Sequence, residues 1–204
     1  MAKLFEEIDG KLRAFIERQP MFFVATAPSG DGGHINVSPK GGSNLFQVTG
    51  PHGFAYVDLM GSGIETIAHL RENGRIVVMF CAFEGGPKIV RLHGIGTPIQ
   101  QGDDEFGEAL SGFEISDEQR DAVRSVIEVD VTRVADSCGF VVPRMDYVGE
   151  RDQLYRYAEN RLRKEGEEAV RAYVTANNAE SIDGLEGLDP LVNGAAPVSS
   201  GRKL

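Results

Sequence analysis

The sequence contains no tryptophan and only two cysteines, Cys81 and Cys138. Two cysteines cannot build a disulfide framework, and the absence of a C-x-x-C pair excludes the common thiol redox motif. This cysteine content is typical of a reducing compartment, so we expect a cytoplasmic protein. No uninterrupted apolar run approaches the ~20 residues that a membrane-spanning helix needs, so no membrane association is expected.

Positive charge is also scarce. The 204 residues carry 21 lysines and arginines against 31 aspartates and glutamates, which gives a net charge of −10. A nucleic-acid-binding protein usually presents a basic patch, and none is visible here, so no nucleic-acid partner is expected. The four histidines form neither an HExxH motif nor an i,i+4 pair, so the sequence predicts no metal site. No nucleophile–histidine signature is present either, and no catalytic side chain can be named.

The chain does contain many short β-prone segments separated by turn residues. Apolar spacing over residues 4–16 predicts an amphipathic opening helix. Strands are then predicted at 21–27, 34–38, 44–49, 53–59, 75–83, 88–99 and 127–134, and helices at 62–73, 104–110 and 117–126. Capping boxes are expected for Ser62 with Glu65 and for Ser116 with Gln119. Six or seven strands without βαβ alternation favour a mainly β barrel with inserted helices, an α+β chain.

The last 60 residues have a different pattern. Helical spacing predicts helices over 150–164 and 167–176, and from Asn193 onward Gly, Ala, Pro and Ser dominate. We therefore predict a barrel domain (1–143), a helical extension (144–190) and a flexible tail (191–204). The apolar residues of the extension need a surface to pack on, which is either the chain's own barrel or a partner subunit.

Three local features are candidates for ligand binding. Pro39 cannot donate to a sheet ladder, so we expect the strand to break there and Lys40 to be available for a phosphate. The glycine-rich turn 61–63 before a helix is typical of an anion site, although Glu65 in the first turn opposes a phosphate. Arg91 on a strand is able to hold a phosphate with two hydrogen bonds. A strand end, a helix cap and an exposed strand residue explain the same three features without a ligand.

The order of the motifs is more informative than any one of them. The segments are F-V-A-T-A (23–27), N-V-S-P-K-G (36–41), Y-V-D (56–58), G-S-G-x-E-T-x-x-H-L-x-E-N (61–73) and R-L-x-G-x-G (91–96). Over residues 4–135 this series resembles the pyridoxamine 5′-phosphate oxidase-like family. The resemblance implies a split β-barrel that binds FMN, and a homodimer with two flavins at the subunit interface. Segments 137–143, 147–152 and 181–185 are similar to a subgroup whose substrates the sequence does not indicate.

The resemblance also implies positions for the cofactor. Val37 and Ser38 are expected to lie against the isoalloxazine ring, and Lys40 near the phosphate. The expected cofactor-binding residues are Asn36, Val37, Ser38, Pro39, Lys40, Asp58, Ser62, Gly63, Thr66 and Arg91.

The chain departs from the family's oxidases in three places. Those enzymes carry a basic pair at the start of the helix, a tryptophan near the flavin, and a C-terminal segment with arginine and histidine for the substrate. Here Glu65 and Thr66 replace the basic pair, no tryptophan exists, and the C-terminal part is helical. We therefore expect an FMN-dependent oxidoreductase that does not oxidise pyridoxamine phosphate, with a nicotinamide or another small molecule as electron donor. The alternatives are the same barrel holding deazaflavin F420 or haem, and a non-enzymatic flavin-binding or sensing protein.

Overall fold

A computed structural model describes residues 3–189, apart from the side chains of Glu167 and Arg171. The elements in chain order are β1 (Lys3–Phe5), α1 (Gly10–Glu17), β2 (Met21–Thr26), β3 (Asn36–Gly41), β4 (Phe46–Gly50), β5 (Gly53–Leu59), α2 (Glu65–Asn73), β6 (Arg75–Cys81), β7 (Ile89–Gln100), α3 (Phe106–Ser111), α4 (Asp117–Arg120), β8 (Val123–Ser137) and α5 (Gln153–Asn178). The predicted flexible tail (191–204) lies outside the described residues. Within 3–189 no helix combines the length and the apolar character needed to cross a membrane.

All the strands join one antiparallel sheet in the order β3-β2-β6-β7-β8-β5-β4, with β1 paired to the end of β8. The long strand β8 pairs with β7 on one side and β5 on the other, so it connects the two halves of the sheet. The apolar core holds an aromatic cluster of Phe22, Phe46, Phe54, Tyr56 and Phe80, whose neighbouring rings lie 5.0–6.3 Å apart. The predicted mainly β split barrel with helices and a helical C-terminal part is confirmed.

The opening helix is shorter than predicted. Leu4 and Phe5 belong to β1 and pair with Ala135 and Val134 of β8. The helix begins at Gly10 because the Asp9 side chain accepts a hydrogen bond from the Leu12 amide at 2.8 Å and caps it. The helical spacing at 4–5 was therefore a false indication, since these two residues complete the sheet.

The predicted strand break at Pro39 was wrong. Strand β3 runs without interruption from Asn36 to Gly41, later than the predicted 34–38, and Pro39 lies opposite Phe23 of β2. The sheet tolerates proline here because β3 is an edge strand, and a residue without an N–H group fits where the N–H would point away from the neighbour.

Helix α2 begins three residues later than predicted, and the Ser62–Glu65 capping box does not form. The N-cap is Ile64, which makes no side-chain capping bond, while Gly74 ends the helix in the left-handed conformation. The preceding turn is instead held by tertiary contacts, because the carbonyls of Gly61 and Gly63 accept hydrogen bonds from distant side chains.

The predicted helix 117–126 ends much earlier. The capping box of Ser116 and Gln119 does form, but α4 stops at Arg120 and β8 starts at Val123. Val123 and Val126 pack in a second apolar cluster against α3. Burial and pairing with β5 and β7 override the helical preference of the acidic segment.

The C-terminal extension packs on the chain's own barrel. Helix α5 is interrupted at Gly166, whose φ of 80° separates two helical parts close to the two predicted ones. Ala158 is buried against Met60 and Ala122. The proposed domain limits at 143 and 190 stay a prediction.

Candidate functional site

A cavity of about 350 Å³ opens between β3, the end of β5 and the start of α2. A volume in this range is typical of small-molecule and cofactor sites. The wall includes residues 38–41 of β3, Gly61 and Gly63 of the turn, Thr66 of α2, Arg124 of β8 and Leu154 of α5.

A buried carboxylate binds two cationic side chains that line this cavity. Lys40 Nζ lies 2.6 Å from Asp58 Oδ1, and Arg124 Nε lies 2.6 Å from Asp58 Oδ2. Burial by itself raises the pKa of Asp58, but Lys40 and Arg124 outweigh it and lower the pKa from 3.8 to about 2. Asp58 is therefore ionised at neutral pH, and the three side chains together carry one net positive charge.

Arg124 also fixes the glycine-rich turn. Its NH1 group donates to the Gly63 carbonyl at 2.9 Å and to Asn178 Oδ1 at 3.0 Å. Asn178, at the end of α5, in turn donates to the Gly61 carbonyl at 2.9 Å. The helical extension therefore takes part in shaping the cavity wall.

Hydroxyl and amide groups form the opposite side of the site. Asn36 Nδ2 donates to Thr66 Oγ1 at 2.9 Å, which ties β3 to α2. Ser38 Oγ donates to Asn36 Oδ1 at 3.2 Å. Asn36, Ser38 and Lys40 lie on the same face of β3 because side chains alternate along a strand.

Glu65 also lines the cavity, and its carboxylate accepts a hydrogen bond from the main chain of the 181–185 segment. Glu65 Oε1 lies 3.4 Å from the Ile182 main-chain nitrogen. The negative charge that the sequence places against a phosphate is thus present at the cavity wall, and it equals the single positive charge of the Asp58 cluster.

The remaining predicted residues lie in different places. Pro39 and Gly63 line the cavity, whereas the Val37 side chain points away from the core and is 61% exposed. Ser62 is exposed on the turn and is not part of the cavity wall. Arg91 of β7 donates to Ser137 Oγ at 3.2 Å and is not brought to this cavity.

Sequence reasoning missed Arg124 and Asn178. Arg124 falls in the predicted helix 117–126, but the structure places it in β8, where a register shift opposite β5 brings it to Asp58. Asn178 ends an amphipathic helix and has no distinguishing sequence pattern; its burial and its bonds to Arg124 and Gly61 are seen only in the fold. Among residues 3–189 no three histidine, cysteine or carboxylate side chains are arranged to hold a metal ion.

Comparison with solved structures finds neighbours of low sequence identity. HupZ from Group A Streptococcus is 19% identical, with 62% of this chain and 91% of that chain covered and a TM-score of 0.47. A pyridoxamine 5′-phosphate oxidase-related, FMN-binding protein from Nostoc punctiforme is 10% identical, with 57% and 73% covered and a TM-score of 0.44. Similarity at this level carries no inference about function.

The sequence comparisons find higher identity than the solved structures do. The profile of the family described as "Pyridoxamine 5'-phosphate oxidase" matches residues 8–138. The "Pyridoxamine 5'-phosphate oxidase family protein ustO" of Aspergillus flavus is 39% identical over 201 residues, which cover 92% of this chain and 78% of that protein. The matched region contains β3, the Asp58 cluster and the turn before α2. The chain therefore belongs to the pyridoxamine 5′-phosphate oxidase family.

Proposed function

We propose that the cavity binds FMN and that the chain is a flavin-dependent oxidoreductase. The observation that carries the proposal is the pair of cationic side chains, Lys40 and Arg124, which Asp58 holds together at the wall of a cavity of cofactor size. Family membership supports the same reading.

The side chains present fit the phosphate of FMN. Lys40 and Arg124 supply charged donors, and charge-assisted hydrogen bonds are the strong ones. Thr66 accepts from Asn36, so its own hydroxyl proton is available to a phosphate oxygen. The phosphate would thus be held by one lysine, one arginine and one hydroxyl group rather than by a basic pair on α2.

The ring would lie along β3. Ser38 is at the cavity wall, and Val37 is on the opposite face of the strand, so we propose that Ser38 and the main chain of β3 contact the ring. When bound, FMN supplies the redox chemistry, and the protein binds, orients and shields it. No side chain at the wall is assigned as an acid or base. A nicotinamide or another small molecule is the proposed electron donor. The donor that reduces the bound FMN identifies it.

A homodimer with the cofactor at the interface is also part of the proposal. Strand β3 is at one edge of the sheet and carries Val37, and Ile35 just before it is 76% exposed. Exposed apolar residues on an edge strand are typical of a surface that another subunit covers. We propose a cytoplasmic location as well, because both cysteines are free thiols and Cys138 is exposed.

Of the alternatives, haem has the least support, since no histidine lines the cavity. The absorption spectrum and ligand titrations of the purified protein distinguish the candidates. The proposal predicts saturable binding of FMN, a twin-banded flavin spectrum, and reduction by a nicotinamide or another small donor. Preference for deazaflavin F420, a Soret band with haem, or bound FMN that no donor reduces would replace it with the corresponding alternative.

A further inference from the structure

A chain of buried polar groups leads from the cavity wall into the protein. His69 of α2 is fully buried, and its Nδ1 atom lies 2.9 Å from Thr26 Oγ1. Asn36 Nδ2 lies 3.4 Å from the same Thr26 oxygen and 2.9 Å from Thr66 Oγ1. The chain ends at Ser38, which donates to Asn36 Oδ1.

Counting protons assigns a direction to each of these hydrogen bonds. The Asn36 amide has two N–H groups, and they point to Thr66 and Thr26, so its oxygen faces Ser38. The Ser38 hydroxyl therefore donates its only proton to Asn36 Oδ1, and its lone pairs face the cavity. Thr66 accepts from Asn36 and keeps its proton for the cavity.

The same count assigns the tautomer of His69. The Thr26 oxygen accepts from Asn36, and its own proton has an acceptor only if His69 Nδ1 is unprotonated. The proton of the neutral ring is then on Nε2. Because Nε2 has no partner among the described residues in either tautomer, it does not decide between them. Burial lowers the pKa of His69 despite the opposing charges of Asp183, Glu65 and Glu72, which favours the neutral ring.

A second, reversed arrangement of the same groups is possible if His69 is replaced by a side chain that cannot accept, or if its ring carries the proton on Nδ1 and donates to Thr26. If Thr26 has no acceptor behind it, its proton can go to Asn36 Oδ1 once the amide turns over. Asn36 Nδ2 would then donate to Ser38, Ser38 would donate into the cavity, and Thr66 would donate to Asn36. Every bond in the chain would be reversed, and the cavity would lose a donor at Thr66 and an acceptor at Ser38.

We propose that His69 is a positioning residue that sets the hydrogen-bond polarity of the cavity, with Ser38 as acceptor and Thr66 as donor. This polarity suits a ligand with an anionic group beside Thr66 and an N–H group beside Ser38. The inference deepens the proposed function and rests on it for the identity of the ligand, FMN. The tautomer of His69, in contrast, is a property of the protein alone.

The first experiment reads the tautomer directly by long-range ¹H–¹⁵N NMR of the imidazole rings, with His69→Asn used to assign the signal. We expect an Nε2-protonated, Nδ1-unprotonated ring at neutral pH without added ligand. A ring protonated at Nδ1 would overturn the proposal whether or not the protein binds FMN.

The second experiment measures the Kd for FMN of four single variants and one double variant. An asparagine side chain can place its oxygen near the position of Nδ1, whereas glutamine reaches the position of Nε2. We therefore expect His69→Asn to bind like the wild type, and His69→Gln, His69→Leu and Thr26→Val to bind about tenfold more weakly. The double variant His69→Leu with Thr26→Val should bind FMN no more weakly than either single variant. Both changes interrupt the same series of hydrogen bonds, so their effects should not add.

Circular dichroism and the thermal midpoint of each variant show whether it is folded. Equal affinities for folded His69→Leu and the wild type, or equal losses for His69→Asn and His69→Leu, would overturn the positioning role. Should the wild type bind no FMN, the proposed function fails, and the NMR measurement still decides the polarity of the chain.

Discussion

Asn178 accepts a hydrogen bond from Arg124 at 3.0 Å, although 54 residues separate the two along the chain. Both side chains are buried. The bond joins the end of the helical extension to the cation cluster at the cavity. A second hydrogen bond, to the Gly61 carbonyl, joins the same asparagine to the turn before α2.

Replacing this asparagine should weaken both the fold and ligand binding. Asn178→Ala removes an acceptor from a buried arginine and a donor from a carbonyl, so we expect a loss of about 1–3 kcal/mol in the free energy of unfolding. FMN affinity should fall severalfold because the turn is no longer fixed. Denaturant unfolding and FMN titration check this. Asn177→Ala is the matched control, since Asn177 donates to the Tyr173 carbonyl of its own helix and should leave FMN affinity unchanged.

Lys40 is expected to discriminate between phosphorylated and unphosphorylated flavin. Lys40→Ala removes a charge-assisted contact, so the Kd for FMN should rise about ten- to hundredfold. The Kd for riboflavin, which lacks the phosphate, should change little. Lys88→Ala, which breaks another lysine–aspartate pair away from the cavity, serves as control. An equal loss for both flavins would place Lys40 away from the phosphate.

Asp58 should make stability depend on acidic pH. Its pKa is lowered from 3.8 in the unfolded chain to about 2 in the folded protein, so the folded state favours the ionised form. The resulting stabilisation is fully present above pH 3.8 and is lost as pH falls through about 2. It amounts to about 2 kcal/mol. Unfolding free energies measured across this acidic range should therefore fall more steeply for the wild type than for Asp58→Asn; parallel curves would contradict the assignment.

The edge strand should carry the subunit contact. Val37→Glu places a charge on the exposed face of β3, and we expect it to convert a dimer to a monomer in light scattering and to weaken FMN binding. Val141→Glu is the control, because Val141 is 96% exposed and lies outside the sheet. A wild-type protein that scatters as a single chain while holding FMN would exclude the proposed interface.

The sequence predicted most of the elements that depend on neighbours along the chain. Turn and cap residues act locally and explain three of these features. They are the hairpin of β6 and β7, the cap of α4 at Ser116 and the end of α2 at Gly74. Six of the predicted site residues meet at one cavity: Asp58 binds Lys40, and the wall includes Ser38, Pro39, Lys40, Gly63 and Thr66.

The missed features depend on distant partners. Residues 121–126 alternate poorly and have acidic neighbours, so only pairing with β5 and β7 shows that β8 begins at Val123. Arg124 reaches Asp58 through that pairing, and Asn178 reaches Arg124 only because α5 packs on the barrel. No local pattern contains this information, since both contacts arise when the chain closes on itself.

Pro39 has a consequence for how two sheets can meet. Pro39 has no main-chain N–H group, and it lies in the middle of β3, an edge strand that presents a row of main-chain donors and acceptors. Proline leaves a gap in the middle of that row of donors, so a foreign strand cannot extend the ladder along β3. The edge is thereby protected against fibril-like growth, and another chain has to approach it through side chains.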